Sequence, residues 1–394
     1  FIQEGELIPG GGADERYEFF GSGLGRFDST NRFAFSARAR TMRTGSTSAP
    51  NGQRVLYFDG TTTTLRYKEG DLISGLADTG ATGDERVGNS VGSIHPRDDG
   101  VLGAQHSTIL GISTTRRPAT MYDLAGFKQS NVSTFLGIDG VTTETWATIS
   151  ANTFYTTPDN AHWMMQGRAV SQVSTAAVLV RDNAAVLQTG TMIPSSTVVV
   201  DSIFDYSLLS NGVWYARGDD AASNDWATKN GVVVAQTGGN VIGPGETWGA
   251  VFNSITGNRL GEWVLAGTTS EPDLGRNEVL VFNGTQILAR EGDRVDLNGN
   301  GMPDDDAFIG RGNNTLTAFE AGDVAISDGR TVYFIANLRN AAGVDLNSSP
   351  TFGSPQAFLR LQVTVVCAAD FNGVGGVTVQ DIFDFLGAYF MGCP

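Results

Sequence analysis

One phrase recurs along this chain and limits its fold more than any other feature. A strand-like apolar run ends in Gln, Arg or Lys. Glu or Thr follows, then Gly, and an apolar pair and a turn close it. The copies are Gln3-Glu4-Gly5-Glu6-Leu7-Ile8-Pro9, Lys68-Glu69-Gly70-Asp71-Leu72-Ile73, Gln188-Thr189-Gly190-Thr191-Met192-Ile193-Pro194, Gln236-Thr237-Gly238 leading to Val241-Ile242, and Arg290-Glu291-Gly292-Asp293-Arg294-Val295. Internal periodicity on this scale marks architectures built by repeating one supersecondary unit.

A second phrase follows, an aromatic or branched residue opening a short apolar run. Its copies begin near Tyr17, Val87, Trp146, Val200, Trp248 and Phe308. They recur about every 50–70 residues, a long-repeat propeller period. A third is an Asn, Asp or Gly turn followed by an alternating strand, clearest at Asn31–Ala37, Asn211–Ala216 and Gly261–Ala266. A fourth is a strand ending in a hairpin, as in Val55-Leu56-Tyr57-Phe58-Asp59-Gly60 and Val279-Leu280-Val281-Phe282-Asn283-Gly284. Period-two patterning and β-rich residues predict strand in all of them. Four antiparallel strands per unit, about six times over, predict an all-β, six-bladed β-propeller across residues 1–366.

The offset of the units bears on closure. Phe1–Pro9 matches the end of a unit, and the last unit stops at Leu359–Val363. The N-terminal strand is therefore expected to complete the final blade and close the ring. Residues 98–140 are the most degenerate, which leaves five or seven blades open. The main alternative is two stacked β-sandwiches.

Charge excludes some partners. The net charge is -16, with 26 basic residues against 42 acidic ones. Nucleic-acid binding needs a basic face, and so does docking on an anionic membrane. No apolar stretch approaches the roughly 18 residues that span a bilayer. The chain opens at Phe1 without Met, which fits a mature secreted form and a trimmed one equally.

The last residues, 367–394, read as a separate tail. Cys367 and Cys393 are the two cysteines of the chain. Bracketing so short a segment, they read as one disulfide formed in an oxidising compartment, worth about 3–4 kcal/mol on the chain-entropy model. Two unpaired buried thiols are the other reading. Between them, Asp370, Asn372, Gly376, Thr378 and Asp381 stand at positions one, three, seven, nine and twelve of a calcium loop. Position five is Val374, where an oxygen belongs. Thr378 and Asp381 also form a capping box without any metal. A helix is predicted to follow, with Val379, Ile382, Phe383, Leu386, Tyr389 and Phe390 on one face. That face either packs on the propeller or docks into a partner.

The tail is similar to the calcium loop and helix of a dockerin-type domain, in the short disulfide-bracketed variety ending Gly-Cys-Pro. A full dockerin has two loops, and one is found here. The resemblance implies docking to a protein. The repeat style also resembles the diverged tandem repeats of secreted bacterial proteins that carry anchor-like C-terminal tags.

A second calcium loop is predicted inside the blades. Asp296, Asn298, Asn300 and Asp304 stand at positions one, three, five and nine, and Met302 offers its carbonyl at seven. Ala307 occupies position twelve, so the closing carboxylate falls to Asp305 or Asp306. An acidic, solvated turn explains the same residues.

Catalytic patterns are weak. Gly88-Asn89-Ser90-Val91-Gly92 matches G-x-S-x-G, but no helical pattern follows it. His95, His106 and His162 are scattered. Gly245-Glu246-Thr247-Trp248 resembles the end of the Asp-box turn of sialidase propellers, with Gly243 at the Asp position. The expected function is a non-catalytic extracellular or cell-surface scaffold that makes protein contacts, including with copies of itself through its tail. The alternative is a propeller that binds or degrades extracellular polysaccharide and carries a docking tag.

Overall fold

Strands such as Val279-Leu280-Val281-Phe282 are too apolar for the half-exposed face of a surface sheet. A continuous apolar run requires cover on both faces, and all four of these side chains are buried. A computed structural model describes residues 6–12, 14–20, 26–27, 32–41, 52–76, 85–110, 116–124, 126, 128–130, 133–151, 153–310, 318–346, 356–363 and 378–390. Among these residues it shows an all-β architecture of six sheets in succession.

Sheet I holds β1 (Glu15–Phe20), β2 (Arg26–Phe27), β3 (Phe33–Thr41), β4 (Gln53–Phe58) and β5 (Thr63–Lys68). Sheet II holds β6 (Glu85–Pro96), β7 (Leu102–Leu110), β8 (Arg116–Tyr122) and β9 (Lys128–Gln129). Sheet III holds β10 (Thr134–Leu136), β11 (Thr143–Ile149), β12 (Tyr155–Thr156), β13 (Trp163–Ala169), β14 (Val178–Arg181) and β15 (Ala184–Gln188). Sheet IV runs β16 (Ser202–Leu208), β17 (Trp214–Asp219), β18 (Asp225–Lys229) and β19 (Val232–Gln236) in order. Sheet V does the same with β20 (Trp248–Gly257), β21 (Trp263–Thr269), β22 (Glu278–Phe282) and β23 (Gln286–Arg290). Sheet VI holds β24 (Phe308–Ile309), β25 (Phe319–Ile326), β26 (Thr331–Arg339) and β27 (Gln356–Gln362). The one helix among the described residues is α1 (Val379–Phe390).

Each sheet packs on the next. Val55 and Tyr57 of sheet I meet Ile94 and Met121 of sheet II. Tyr122 of sheet II meets Trp146 and Val180 of sheet III. Met164 and Leu179 of sheet III meet Trp214 and Trp226 of sheet IV. Tyr215 and Ala227 of sheet IV meet Leu265 and Val281 of sheet V. Val264 and Leu280 of sheet V meet Phe319 and Phe334 of sheet VI. Neighbours such as Trp214 and Tyr215 thus face opposite sheets, as the two-residue period of a strand demands.

The Glu/Thr-Gly phrase is the joint between sheets. The N–H groups of Glu69, Thr189, Thr237 and Glu291 donate to the carbonyls of Gln53, Ala177, Asp225 and Glu278, within their own sheets. The next N–H, from Gly70, Gly190, Gly238 or Gly292, reaches Val87, Val200, Trp248 or Ile309 of the following sheet. Turning successive N–H groups toward two sheets puts these glycines at φ of 87°, 82°, 79° and 86°, a region costly for residues with a Cβ. The apolar residue after the joint, Ile73, Ile193, Val241 or Val295, is buried.

Sheets III to V share a second device. Asp182, Asn230 and Asn283 sit in tight turns at φ of 48°, 52° and 50°. Their side-chain oxygens accept the backbone N–H of Trp163, Trp214 and Trp263 at 2.9, 2.9 and 2.8 Å. Asn tolerates that φ, and its side chain supplies the acceptor. Asn230→Ala is expected to lower stability by about 1–2 kcal/mol, combining a lost hydrogen bond with backbone strain. Asn230→Gly should recover the strain part alone, and urea titration of the two variants separates the contributions.

The sheets depart from the expected four strands in three places. β2 joins sheet I, and β10 and β12 enlarge sheet III. In sheet VI the short β24 pairs at Arg339 and Leu338 of β26. Leu7 bridges Arg16, and the Ile8 N–H donates to Glu15, so this part of the N-terminal phrase enters sheet I. Of Phe1–Pro9, the segment expected to complete the final blade, residues 6–8 thus pair with sheet I and not with sheet VI, and residues 1–5 lie outside the described residues.

Candidate functional site

The ends of strands from five sheets meet around one cavity of about 450 Å³. His95, Thr156, Ser207, Asn258, Arg259 and Asp328 are among its walls. Its position follows from the strands. β16, β20 and β25 run parallel roles in sheets IV, V and VI and finish at Leu208, Gly257 and Ile326, so their last residues face the same space.

Several polar groups at the rim of this cavity are paired with one another. Arg259 donates its backbone N–H to Asp328 at 2.9 Å, and its guanidinium binds the same carboxylate. That side-chain hydrogen bond holds the Asp328 carboxyl below the usual carboxylate range. Beside it, Asn258 Nδ2 donates to Glu262 at 2.8 Å and to the Ser327 carbonyl at 3.1 Å. Arg330 Nε meets Glu262 at 2.7 Å. These contacts tie sheet V to sheet VI at the rim. The His95 ring lies 4.9 Å from that of Tyr155.

The three histidines do not come together. His95 is at the cavity, whereas His106 lies between sheets I and II and His162 lies at a turn. His106 Nε2 is 2.8 Å from the Tyr67 hydroxyl. Burial pushes its pKa down to about 3, so it is neutral at physiological pH. His162 Nδ1 is 2.7 Å from Asp182. Ser90 sits within β6, which continues as strand to Pro96, so the bend that a nucleophile elbow requires is not formed. Glu246 pairs with Arg290 at 2.6 Å.

The loop of Asp296, Asn298, Asn300, Met302 and Asp304 joins β23 to β24. Asp296 accepts the N–H groups of Gly299 and Gly301, both at 2.7 Å, and that of Asn300 at 3.2 Å. Asn300 Nδ2 reaches Asp304 at 3.3 Å. Asp305 turns back onto the N–H of Leu297 at 2.7 Å, and Asp306 accepts that of Ala341 at 2.8 Å. Among the described residues no three or more His, Cys, Asp or Glu side chains are grouped to hold a metal.

In the tail, Cys367, Asp370, Asn372, Gly376 and Cys393 lie outside the described residues. Thr378 directly precedes α1 at the N-cap position, and Asp381 falls in its first turn. Val379, Ile382, Phe383 and Leu386 are exposed. Of Tyr389 and Phe390 only the helical backbone is described.

A set of polar residues between sheets has no counterpart in the sequence reading. Gln105, Gln166 and Arg217 each stand fourth in β7, β13 and β17. They donate across to the carbonyls of Ser150, Ile203 and Phe252 in the following sheet. Asp225 accepts the Phe252 N–H at 2.6 Å. Glu278 accepts those of Ala318 and Phe319 at 2.8 and 3.3 Å. Burial raises the pKa of both carboxylates. The visible signal is a polar residue at the fourth place of β7, β13 and β17, after three apolar or small ones.

No helix among the described residues is long and apolar enough to cross a membrane. No protein-family model matches the chain, and no curated protein matches it. A solved structure to which it is similar is that of PorZ, described as an essential bacterial surface component of the type-IX secretion system of human oral-microbiomic Porphyromonas gingivalis. The two are 12% identical, with a TM-score of 0.33, over 85% of this chain and 46% of that one. This chain therefore matches less than half the length of PorZ.

Proposed function

We propose that the chain is a six-bladed β-propeller that serves outside the cell as a non-catalytic scaffold and makes protein contacts. The ring reading is supported by strand ends from five sheets lining one cavity. It is also supported by the joint that recurs from sheet to sheet with the same hydrogen bonds. The observation that carries the functional reading is the chemistry of that cavity. Glycoside hydrolysis uses two carboxylates flanking the scissile bond. Among the described lining residues the carboxylate is that of Asp328, which Arg259 already engages. Large apolar side chains stand exposed elsewhere, on β27 and on α1.

Protein partners, including copies of the same chain, fit those apolar surfaces. Calcium in the loop of Asp296 is part of the same proposal, since the side-chain oxygens of Asp296 and Asn298 both accept the Asn300 N–H and so draw the three residues into one turn. Light scattering in calcium and then in chelator tests the assembly. Particles larger than a monomer are expected in calcium, and a smaller mass in chelator. Hydrolysis or tight binding of a member of a broad glycan panel would overturn the scaffold reading.

A further inference from the structure

The joint between sheets repeats its backbone bonds but not its side chain. Between sheets III and IV the joint residue is Thr189. Its Oγ1 accepts the Ala177 N–H at 3.0 Å and donates to the Asp201 carbonyl, just ahead of β16, at 3.1 Å. Between sheets IV and V it is Thr237, whose Oγ1 lies 3.3 Å from the Asp225 carbonyl and 3.0 Å from that of Gly249. Each hydroxyl thus ties one sheet to the next. Between sheets V and VI the same place holds Glu291, which is 2% exposed.

The Glu291 carboxyl reaches into sheet VI. Its Oε1 lies 2.8 Å from where a Cβ would stand on Gly310, so the glycine leaves room for it. That buried oxygen accepts no hydrogen bond among the described residues. Glu278 shares the seam and is fully engaged. It accepts the N–H groups of Ala318 and Phe319 from sheet VI and Nδ2 of Asn253 from β20. Such donors favour the ionised form of Glu278, and a second charge beside it is disfavoured, so the proton belongs on Glu291. Burial, and then Glu278, push the Glu291 pKa up to about 7. Asp273, between β21 and β22, adds to that push, and Arg339 of β26 opposes it. Arg339 already donates to the Gly275 carbonyl at 2.9 Å. Arg276 lies beside Gly292, and Glu320 of β25 adds negative charge near Glu278.

We propose that the seam between sheets V and VI is a proton latch, closed while Glu291 carries its proton and opening locally when Glu291 ionises. Protonated, the carboxyl is a neutral polar group that a packed seam can hold. Ionised, it is a buried charge next to Glu278, and water entering between the two sheets relieves the desolvation and the repulsion together. Thr189 and Thr237 have no charge to gain, so the seams they tie do not respond. Opening frees the N–H groups of Gly292, Ala318 and Phe319 while the rest of the chain stays folded, a sub-global event. The latch works whatever the chain binds, and so it goes beyond the scaffold reading.

Hydrogen exchange of the full chain at pH 6 and pH 8, corrected for intrinsic rates, tests it. The N–H groups of Gly292, Ala318 and Phe319 should lose protection about tenfold between these values. That is the change given by a glutamate near 7 in the closed seam and near 4.3 in water. The N–H groups of Gly238 and Phe252, which join sheets IV and V, should keep theirs. Glu291→Thr, which installs the residue of the other seams, and Glu291→Gln should each remove most of the loss. A loss of equal size in both seams overturns the latch, because the chain then unfolds as a whole. No loss in wild type, or a loss that both variants retain, overturns it as well.

Discussion

Gly218→Ala is expected to lower the unfolding free energy by about 3 kcal/mol, the upper range for forcing one methyl into a packed core. The cause is a bulge. β16 pairs with β17 in a register that shifts between Ile203 and Asp205. At that shift the Ser202 carbonyl and the Trp226 ring press on Gly218, and a Cβ would overlap both. Neither can yield easily. Ser202 is backbone within β16, and Trp226 is fully buried in the core between sheets III and IV. Gly167 has the same surroundings in sheet III, with the Thr148 carbonyl and Trp146 ring over it. Gly267 is less confined, with the Val251 carbonyl and Phe252 ring both at 2.8 Å from the place of a Cβ. Urea titration should therefore rank the alanine variants, with Gly218 and Gly167 costing more than Gly267. The midpoint should fall while the m-value stays constant. A Gly218→Ala protein as stable as wild type would mean that the bulge does not hold the strands this closely.

The same three glycines show what a sequence can and cannot display. Trp163, Trp214 and Trp263 each precede a glycine by four residues, so the strand itself is legible. The bulge that makes glycine necessary belongs to a different strand. The Glu/Thr-Gly phrase was legible as a unit boundary because both of its hydrogen bonds use backbone groups, whose direction depends on the glycine rather than on its neighbours. Tertiary pairs leave no such mark. Glu278 finds Ala318 forty residues away, and any buried carboxylate would read alike in the sequence. The additions β10 and β12 are two or three residues long, too short for a period to register. In the loop of Asp296, spacing placed Asp305 and Asp306 as equal candidates to close it. The fold separates them, turning Asp305 onto Leu297 and Asp306 onto Ala341. For the tail, the helix read from the sequence is present as Val379–Phe390.

Glu291→Gln is expected to stabilise the protein above neutral pH and to remove most of a pH dependence between about 5 and 8. Glu291 is 2% exposed, and its Oε1 has no hydrogen-bond partner among the described residues. Burial first, and then the neighbouring Glu278 carboxylate, push its pKa up to about 7, with Arg339 opposing them. Asp273 adds to the upward push. An unfolded glutamate titrates near 4.3. Between these two values the folded chain binds more protons than the unfolded one. Stability therefore falls as pH rises through this window, by about 2–3 kcal/mol in all. The amide of Gln carries no charge at any of these pH values, so its variant gains that amount at pH 8 and little at pH 5. Glu278 retains its own raised pKa and leaves a residual slope. The joint gives the effect its location, because the Glu291 N–H holds sheet V and the next N–H, from Gly292, holds sheet VI. Urea midpoints at pH 5 and pH 8 measure both slopes. Equal slopes in wild type and variant would mean that Glu291 is ionised in the folded protein and that its charge is compensated in the joint, with Arg339 the residue to change next.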